Sequence, residues 1–351
     1  STTAADGDVT TTVAEDGNIT FNGQIAATAG SVMAGTGSGA ITANGTMTAK
    51  QDIGLASGNG VITVNGEATA GQNMSAHTEA GNIAFNGDVE AAAGNVTATV
   101  IEDGNITFNG QIAATAGSVV AETGSGAITA NGTTTAGTNI GLTSGNGSIT
   151  VNGEATADQS VTANTKDGDV AFNGNITATA GSVTAETGSG AIMANGTVTV
   201  EQDIGLTSGD GAITVTGEAI AGQDVRAHTG AGDIAFNGDV EATDGDVTAT
   251  VTGDGDITFN GQIAATAGSV MAETGSGAIT ANGTMTAKQD IDLTSGSGAI
   301  TVTGETAAGQ NVSAHTEAGD IAFNGSVEAL DGNVDVSVAG DGNIIFNGQV
   351  T

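Results

Sequence analysis

Apolar and polar residues alternate along the chain in runs of three to five, and Gly or Asn-Gly separates the runs. From Gly17 the first runs are Ile19-Thr20-Phe21, Ile25-Ala26-Ala27 and Val32-Met33-Ala34. The next are Ile41-Thr42-Ala43, Met47-Thr48-Ala49 and Ile53-Gly54-Leu55. A period of two, rich in β-branched residues and punctuated by glycine, predicts strand, turn, strand. No stretch carries a helical period. The pattern also repeats at long range. Asp16-Gly17-Asn18-Ile19-Thr20-Phe21-Asn22-Gly23 returns nearly unchanged at 103–110, 254–261 and 341–348. Reduced to Gly-x-Ile-x-x-(Asn/Thr)-Gly, it recurs at intervals of 22, 21, 21 and 23 residues, with larger blocks starting at Gly17, Gly104, Gly168 and Gly255. The block from Gly104 lacks one 23-residue repeat. Loss of a whole coil is compatible with a solenoid and would wreck a closed globule.

Aligned by this repeat, the columns are nearly pure. The first inward position is Ile in every repeat (Ile19, Ile41 and onward) except at Val170. Two residues later all eight Phe of the protein fall in one column, among them Phe21, Phe85 and Phe108, with Ala or Val between them. The second strand adds Ile25, Met47, Ala68 and Val89, then an almost pure Ala column. A unit of about twenty residues cannot bury a core alone and must stack on its neighbours. These columns predict an all-β, parallel β-helix: one solenoid domain over residues 1–351 with about fifteen three-stranded coils of 21–23 residues. Residues 1–16 read as a partial coil, 17–341 as full coils and 342–351 as another partial coil. At about 4.8 Å per coil the rod would be on the order of 70 Å long.

Composition narrows the partners. With 39 acidic and 4 basic residues the net charge is -35, which opposes nucleic acid and anionic membrane. No apolar run approaches the roughly 18 residues that a membrane span needs, and no signal peptide is visible. The chain has no Cys, Pro, Trp or Tyr. That excludes a disulfide scaffold and leaves every backbone donor available to a ladder.

The strongest polar column starts at Asn22 and continues through Asn44, Asn65, Asn86 and Asn109, broken only at Thr216 and Thr303. Its residue type and place before Gly predict an asparagine ladder, amide bonded to amide from coil to coil. Asp16, Asp103, Asp254, Asp256 and Asp341 lie on glycine turns and are the candidates for calcium. Neighbouring coils carry Ser38, Asn59 and Ala80 at that corner, so the carboxylates do not stack. Only weak, delocalised divalent binding is expected, and no other cofactor. His77, His228 and His315 share one outward position at least a block apart, too far to share a metal. Outward Thr20, Thr42, Thr63, Thr107, Thr129 and Thr150 raise ice binding, but Ala84, Ala171 and Ala235 interrupt the row. Arg226, Lys50, Lys166 and Lys288 are far apart, and no Ser-His-Asp set or phosphate loop occurs. No catalysis is expected.

In its Gly-x-Ile-Thr-x-Asn-Gly motifs, for instance Gly39-Ala40-Ile41-Thr42-Ala43-Asn44-Gly45, the chain resembles the β-helical shafts of bacterial filamentous-haemagglutinin-type exoproteins and giant adhesins. The resemblance implies export to a prokaryotic cell surface and a role as adhesin, fibre or scaffold. Two features depart from it: the family's secretion domain carries Asn-Pro motifs, absent here, and the coils of this chain are more alike. The expectation is a structural subunit or shaft of an extracellular filament. It would belong to a longer exoprotein or polymerise head-to-tail through uncapped, edge-exposing ends. The alternative is an adhesin that binds a receptor, glycan or other surface by weak multivalent contact.

Overall fold

A computed structural model describes residues 1–351. All its regular structure is β: forty-eight short strands and no helix. Each turn of the chain contributes a first strand such as Ile19–Phe21, a second such as Ile25–Ala27 and a third such as Val32–Thr36. Each strand pairs in parallel with the one three places later, so the chain is a three-sided parallel β-solenoid of sixteen turns. By compactness it divides into two units, Ser1–Gly174 and Asn175–Thr351, each with eight turns.

Register follows the columns read from the sequence. Ile83 pairs with Ile106 and Phe85 with Phe108; Ile41 pairs with Ile62 and Ala43 with Val64. Since side chains alternate across a strand, a slip of one residue would turn every Ile outward and every Thr inward. Burial of the Ile and Phe columns, worth roughly 1.5–3 kcal/mol per large side chain, therefore fixes the register. Phe85 and Phe108 stack in parallel at 5.2 Å, and Phe236 and Phe259 repeat the arrangement at 5.5 Å. Phe346 stacks on Phe323 at 5.5 Å but remains 37% exposed in the last turn.

The three repeat lengths have a simple structural origin. Strands keep lengths of three, three and five residues throughout, and the extra residues go into corners. A 21-residue turn joins its second and third strands through Lys50-Gln51-Asp52, whereas a 22-residue turn uses Thr28-Ala29-Gly30-Ser31. A 23-residue turn keeps that longer corner and lengthens the one after the third strand to Ile101-Glu102-Asp103, where shorter turns have Gly58-Asn59. Insertions are thus absorbed without breaking a ladder. The corner after the third strand also demands glycine. A Cβ at Gly126 would lie 1.9 Å from the carbonyl oxygen of Gly104 in the turn below, and Gly81 has φ of +145°.

One element is longer than the alternation suggested. The third strand does not stop at Ala34 but runs on to Thr36, which places a hydroxyl inside the tube. The same holds at Ser57, Thr78 and Thr229, all buried. An inward hydroxyl is tolerated there because it has partners, described next.

Candidate functional site

The polar groups that the fold brings together lie in columns at its corners. The first is the asparagine column. Asn44 Nδ2 donates to Asn22 Oδ1 at 3.0 Å, Asn65 to Asn44 at 2.8 Å, Asn86 to Asn65 at 2.7 Å and Asn109 to Asn86 at 2.7 Å. The chain of bonds continues through Asn131, Asn152 and Asn173. Each interior amide thus donates downward and accepts from above while remaining exposed on its outer side. In Asn175–Thr351 the column is shorter-ranged: Thr216 Oγ1 donates to Asn195 at 3.2 Å, and Asn237, Asn260 and Asn282 form a separate run.

A second column, missed by sequence reading, lies at the corner before the third strand. Asp8, Ser31, Asp52, Asn73, Asn95, Ser118 and Asn139 each accept the backbone N–H of the equivalent residue one turn above. Ser182, Asp203, Asp224, Asp246, Ser269, Asp290 and Asn311 do the same in the other unit. The signal was present: this position is always Asp, Asn or Ser, the residues that bond readily to nearby backbone. Its residue type varies, which hid it beside the uniform asparagine column.

The buried hydroxyls make the third column. Thr36 Oγ1 donates to Gly17 O at 2.7 Å and accepts from Gly39 N at 3.3 Å, so it ties the start of its own turn to the start of the next. Thr229 repeats this with Gly211 O at 2.8 Å and Gly232 N at 3.2 Å. Such a bridge satisfies backbone groups that the glycine corner would otherwise bury unpaired. The 23-residue turns carry Val instead, at Val100, Val251 and Val338, because the longer corner moves the next glycine away. Hydroxyls elsewhere in the core fare worse: Thr134 Oγ1 and Thr306 Oγ1 are buried without a partner.

The calcium candidates do not converge. Asp16, Asp103 and Asp254 are exposed, and each accepts a short hydrogen bond from the Ser above it: Ser38, Ser125 and Ser276. Asp256 instead lies on the strand side of the glycine, where its Oδ1 accepts Ala278 N at 2.7 Å. Asp341 is exposed in the last turn. No group of three or more His, Asp or Glu side chains is placed to hold a metal ion. His77, His228 and His315 all point outward, and His315 Nδ1 lies 2.9 Å from Ser337 Oγ. Arg226 pairs with Asp224. The concavities are open and shallow; one of about 380 Å³ is walled by Met33 and His77 where Gly35 and Gly54 leave the sheet face bare.

No family model, curated protein or solved structure matches the chain. No helix is long and apolar enough to cross a membrane. The surface presents hydrogen-bonding and charged groups in columns, at a repeat of about 4.8 Å.

Proposed function

We propose that the chain is a structural shaft: a rigid stretch of an extracellular prokaryotic fibre or surface protein that performs no chemistry. The observation that carries this reading is the use of polar side chains. At all three corner columns they bond one turn to the next along the solenoid axis, which stiffens the stack. Such a use of Asn, Asp, Ser and Thr leaves few of them to form a specific pocket. The acidic surface would keep neighbouring shafts from clumping sideways, since like charge opposes lateral contact. Divalent cations would screen it weakly and without fixed sites. The filamentous-haemagglutinin-type shafts named above are the architecture this use of side chains fits best.

Within that reading the solenoid extends by adding turns. Ile344 and Phe346 are 43% and 37% exposed, whereas their counterparts one turn below, Ile321 and Phe323, are buried. A turn of the same repeat stacked on this face would cover both side chains. Electron microscopy of the purified chain, with and without calcium, tests the reading. Uniform filaments much longer than one chain support assembly of copies end to end. Separate rods on the order of 70 Å support a shaft segment within a longer chain. Round or irregular particles would sink both.

The repeated outward threonines, such as Thr42, Thr63, Thr129 and Thr150, favour one second reading, a multivalent adhesin. Weak contacts multiplied along a rigid rod would give avidity without any single strong site. A glycan array probed with the purified chain separates the two: selective, density-dependent binding supports the adhesin, and uniform background supports the plain shaft.

A further inference from the structure

We propose that Asn18 and Asn105 are acceptor sites for an N-linked oligosaccharide, an inference that rests on the extracellular reading above. Asn-x-Ser/Thr is the acceptor signal for such transfer, and twelve asparagines of this chain begin one. Two observations separate these two from the rest.

The first is which amide nitrogens the fold leaves free. In the sequons at Asn44, Asn131 and Asn282 the Nδ2 is committed to the asparagine ladder, at 3.0, 2.7 and 2.7 Å. At Asn73 and Asn311 it donates to Asp52 and Asp290, each at 2.9 Å. At Asn146 the amide lies against Asp167, where chemistry assigns the nitrogen to the carboxylate at 3.0 Å. Transfer to any of these nitrogens must first break the bond that it donates to a neighbouring turn. Asn18 and Asn105 differ. Their Oδ1 atoms accept the backbone N–H of Ala40 and Ala127, both at 2.8 Å, and their Nδ2 atoms face solvent. Since a glycosylated amide keeps its oxygen as an acceptor, the corner bond survives the modification.

The second is the residue two positions before. Only Asn18 and Asn105 among the twelve have an acid there, in Asp16-Gly17-Asn18-Ile19-Thr20 and Asp103-Gly104-Asn105-Ile106-Thr107. Asn95, Asn175 and Asn324 also keep Nδ2 free of the ladders but follow Ala93, Asn173 and Ala322. Asp16 and Asn18, like Asp103 and Asn105, are exposed at the corner, and Thr20 and Thr107 point away from the core on the strand that follows, with Ile19 and Ile106 buried between them. Transferases that demand an acid at that place therefore have two targets. The two other copies of the stretch are natural negatives: Asp256 replaces the asparagine in one, and Ile345 replaces the threonine in the other. Asn18 and Asn105 are four turns apart on one corner, about 19 Å, a spacing that would set glycans in a line along the shaft.

In the step itself, the Nδ2 attacks the anomeric carbon of a lipid-pyrophosphate-linked oligosaccharide. The bond from that carbon to the pyrophosphate oxygen breaks, the lipid pyrophosphate leaves with the electron pair, and the amide gives up one proton to a base of the transferase.

Two arms test the proposal. In the first, the purified full chain is incubated with an acid-requiring oligosaccharyltransferase and a short lipid-linked glycan, then weighed intact and mapped by glycopeptide mass spectrometry. In the second, the chain is exported from a host that carries the same transferase. The expected result is two glycans per chain, at Asn18 and Asn105. Asn18→Gln and Asn105→Gln should each remove one, Thr107→Ala should remove the glycan at Asn105 while leaving the asparagine in place, and Asn44→Gln should remove none. No added mass in either arm, or a glycan on Asn44, Asn131 or Asn282 in preference, would overturn it. A chain retained inside the host counts against the extracellular reading alone, and the first arm then decides the acceptor question.

Discussion

Ser1–Gly174 and Asn175–Thr351 have the same succession of strands and the same kind of apolar interior, yet they differ along one edge. In the first, the asparagine column runs unbroken from Asn22 to Asn173. In the second it is interrupted at Thr216 and Thr303. The strands beside the interruption are undisturbed: Ile213 still pairs with Ile234 and Val215 with Phe236. The amide ladder therefore reinforces a register that the interior has already set. Were the ladder the determinant, Thr216 would be accompanied by a slip or a bulge, and neither occurs.

The largest effect expected is accordingly in the interior, and it should be equal in both units. Phe108 and Phe259 each stack on one ring and are fully buried. Truncation of either to Ala should cost about 3–5 kcal/mol, read as a loss of urea midpoint by circular dichroism. Costs that differ by more than about 1 kcal/mol between the two, beyond ordinary context dependence, would show that the interiors are not equivalent and would break the comparison.

The buried hydroxyl comes second. Thr229→Val keeps the shape and removes both the bond to Gly211 O and the acceptor for Gly232 N. A loss of about 1–3 kcal/mol is expected, because two half-buried backbone groups lose a partner. Val251 occupies the same column in the next turn without harm, since a longer corner follows it. If Thr229→Val were neutral in the same urea titration, the hydroxyl would be filling space and nothing more.

This column also shows where sequence reading reached its limit. The Ile and Asn columns are legible because each is nearly one residue type, and the Phe column because its Phe, Ala and Val are all apolar and all eight Phe of the chain fall in it. The hydroxyl column is hidden at a place where parity points inward but polarity suggests outward, so the alternation ends the strand at Ala34. Only the position of the Gly17 carbonyl resolves that conflict. The column at Asp52, Asn73 and Asn95 was hidden for a different reason: three residue types do one job, accepting an N–H from the turn above. Corner geometry likewise separates Asn18 from Asn44, two asparagines with equivalent motifs and opposite uses of the amide nitrogen. The acid at Asp16 marks one of them in the sequence, but which neighbour each amide reaches is visible only in the fold.

The third test sets the two units against each other directly. Asn86 both donates to Asn65 and accepts from Asn109, whereas Asn237 is the foot of its run and accepts from Asn260. Asn86→Ala should cost about 1–2 kcal/mol and Asn237→Ala about half of that, at about 0.5–1 kcal/mol per exposed amide bond. Thermal or urea unfolding of the two variants beside the parent gives the ratio. Equal losses would mean that bonds along the column do not act one by one.

The smallest effect is a gain. Thr216→Asn places an amide where the column is broken, between Asn195 below and Asn237 above. The introduced nitrogen can replace the threonine hydroxyl as donor to Asn195 Oδ1, so that bond is exchanged rather than added. The introduced oxygen is the new element, because it gives the Asn237 amide an acceptor one turn below. The net addition is one exposed hydrogen bond, and a stabilisation of about 0.5–1 kcal/mol is expected. Pairing the substitution with Asn237→Ala supplies the decisive control. If the gain comes from the new bond, Asn237→Ala abolishes it; if it persists, Asn is simply better suited than Thr to the corner before Gly217. The ladder would then owe part of its uniformity to turn preference rather than to bonding between turns.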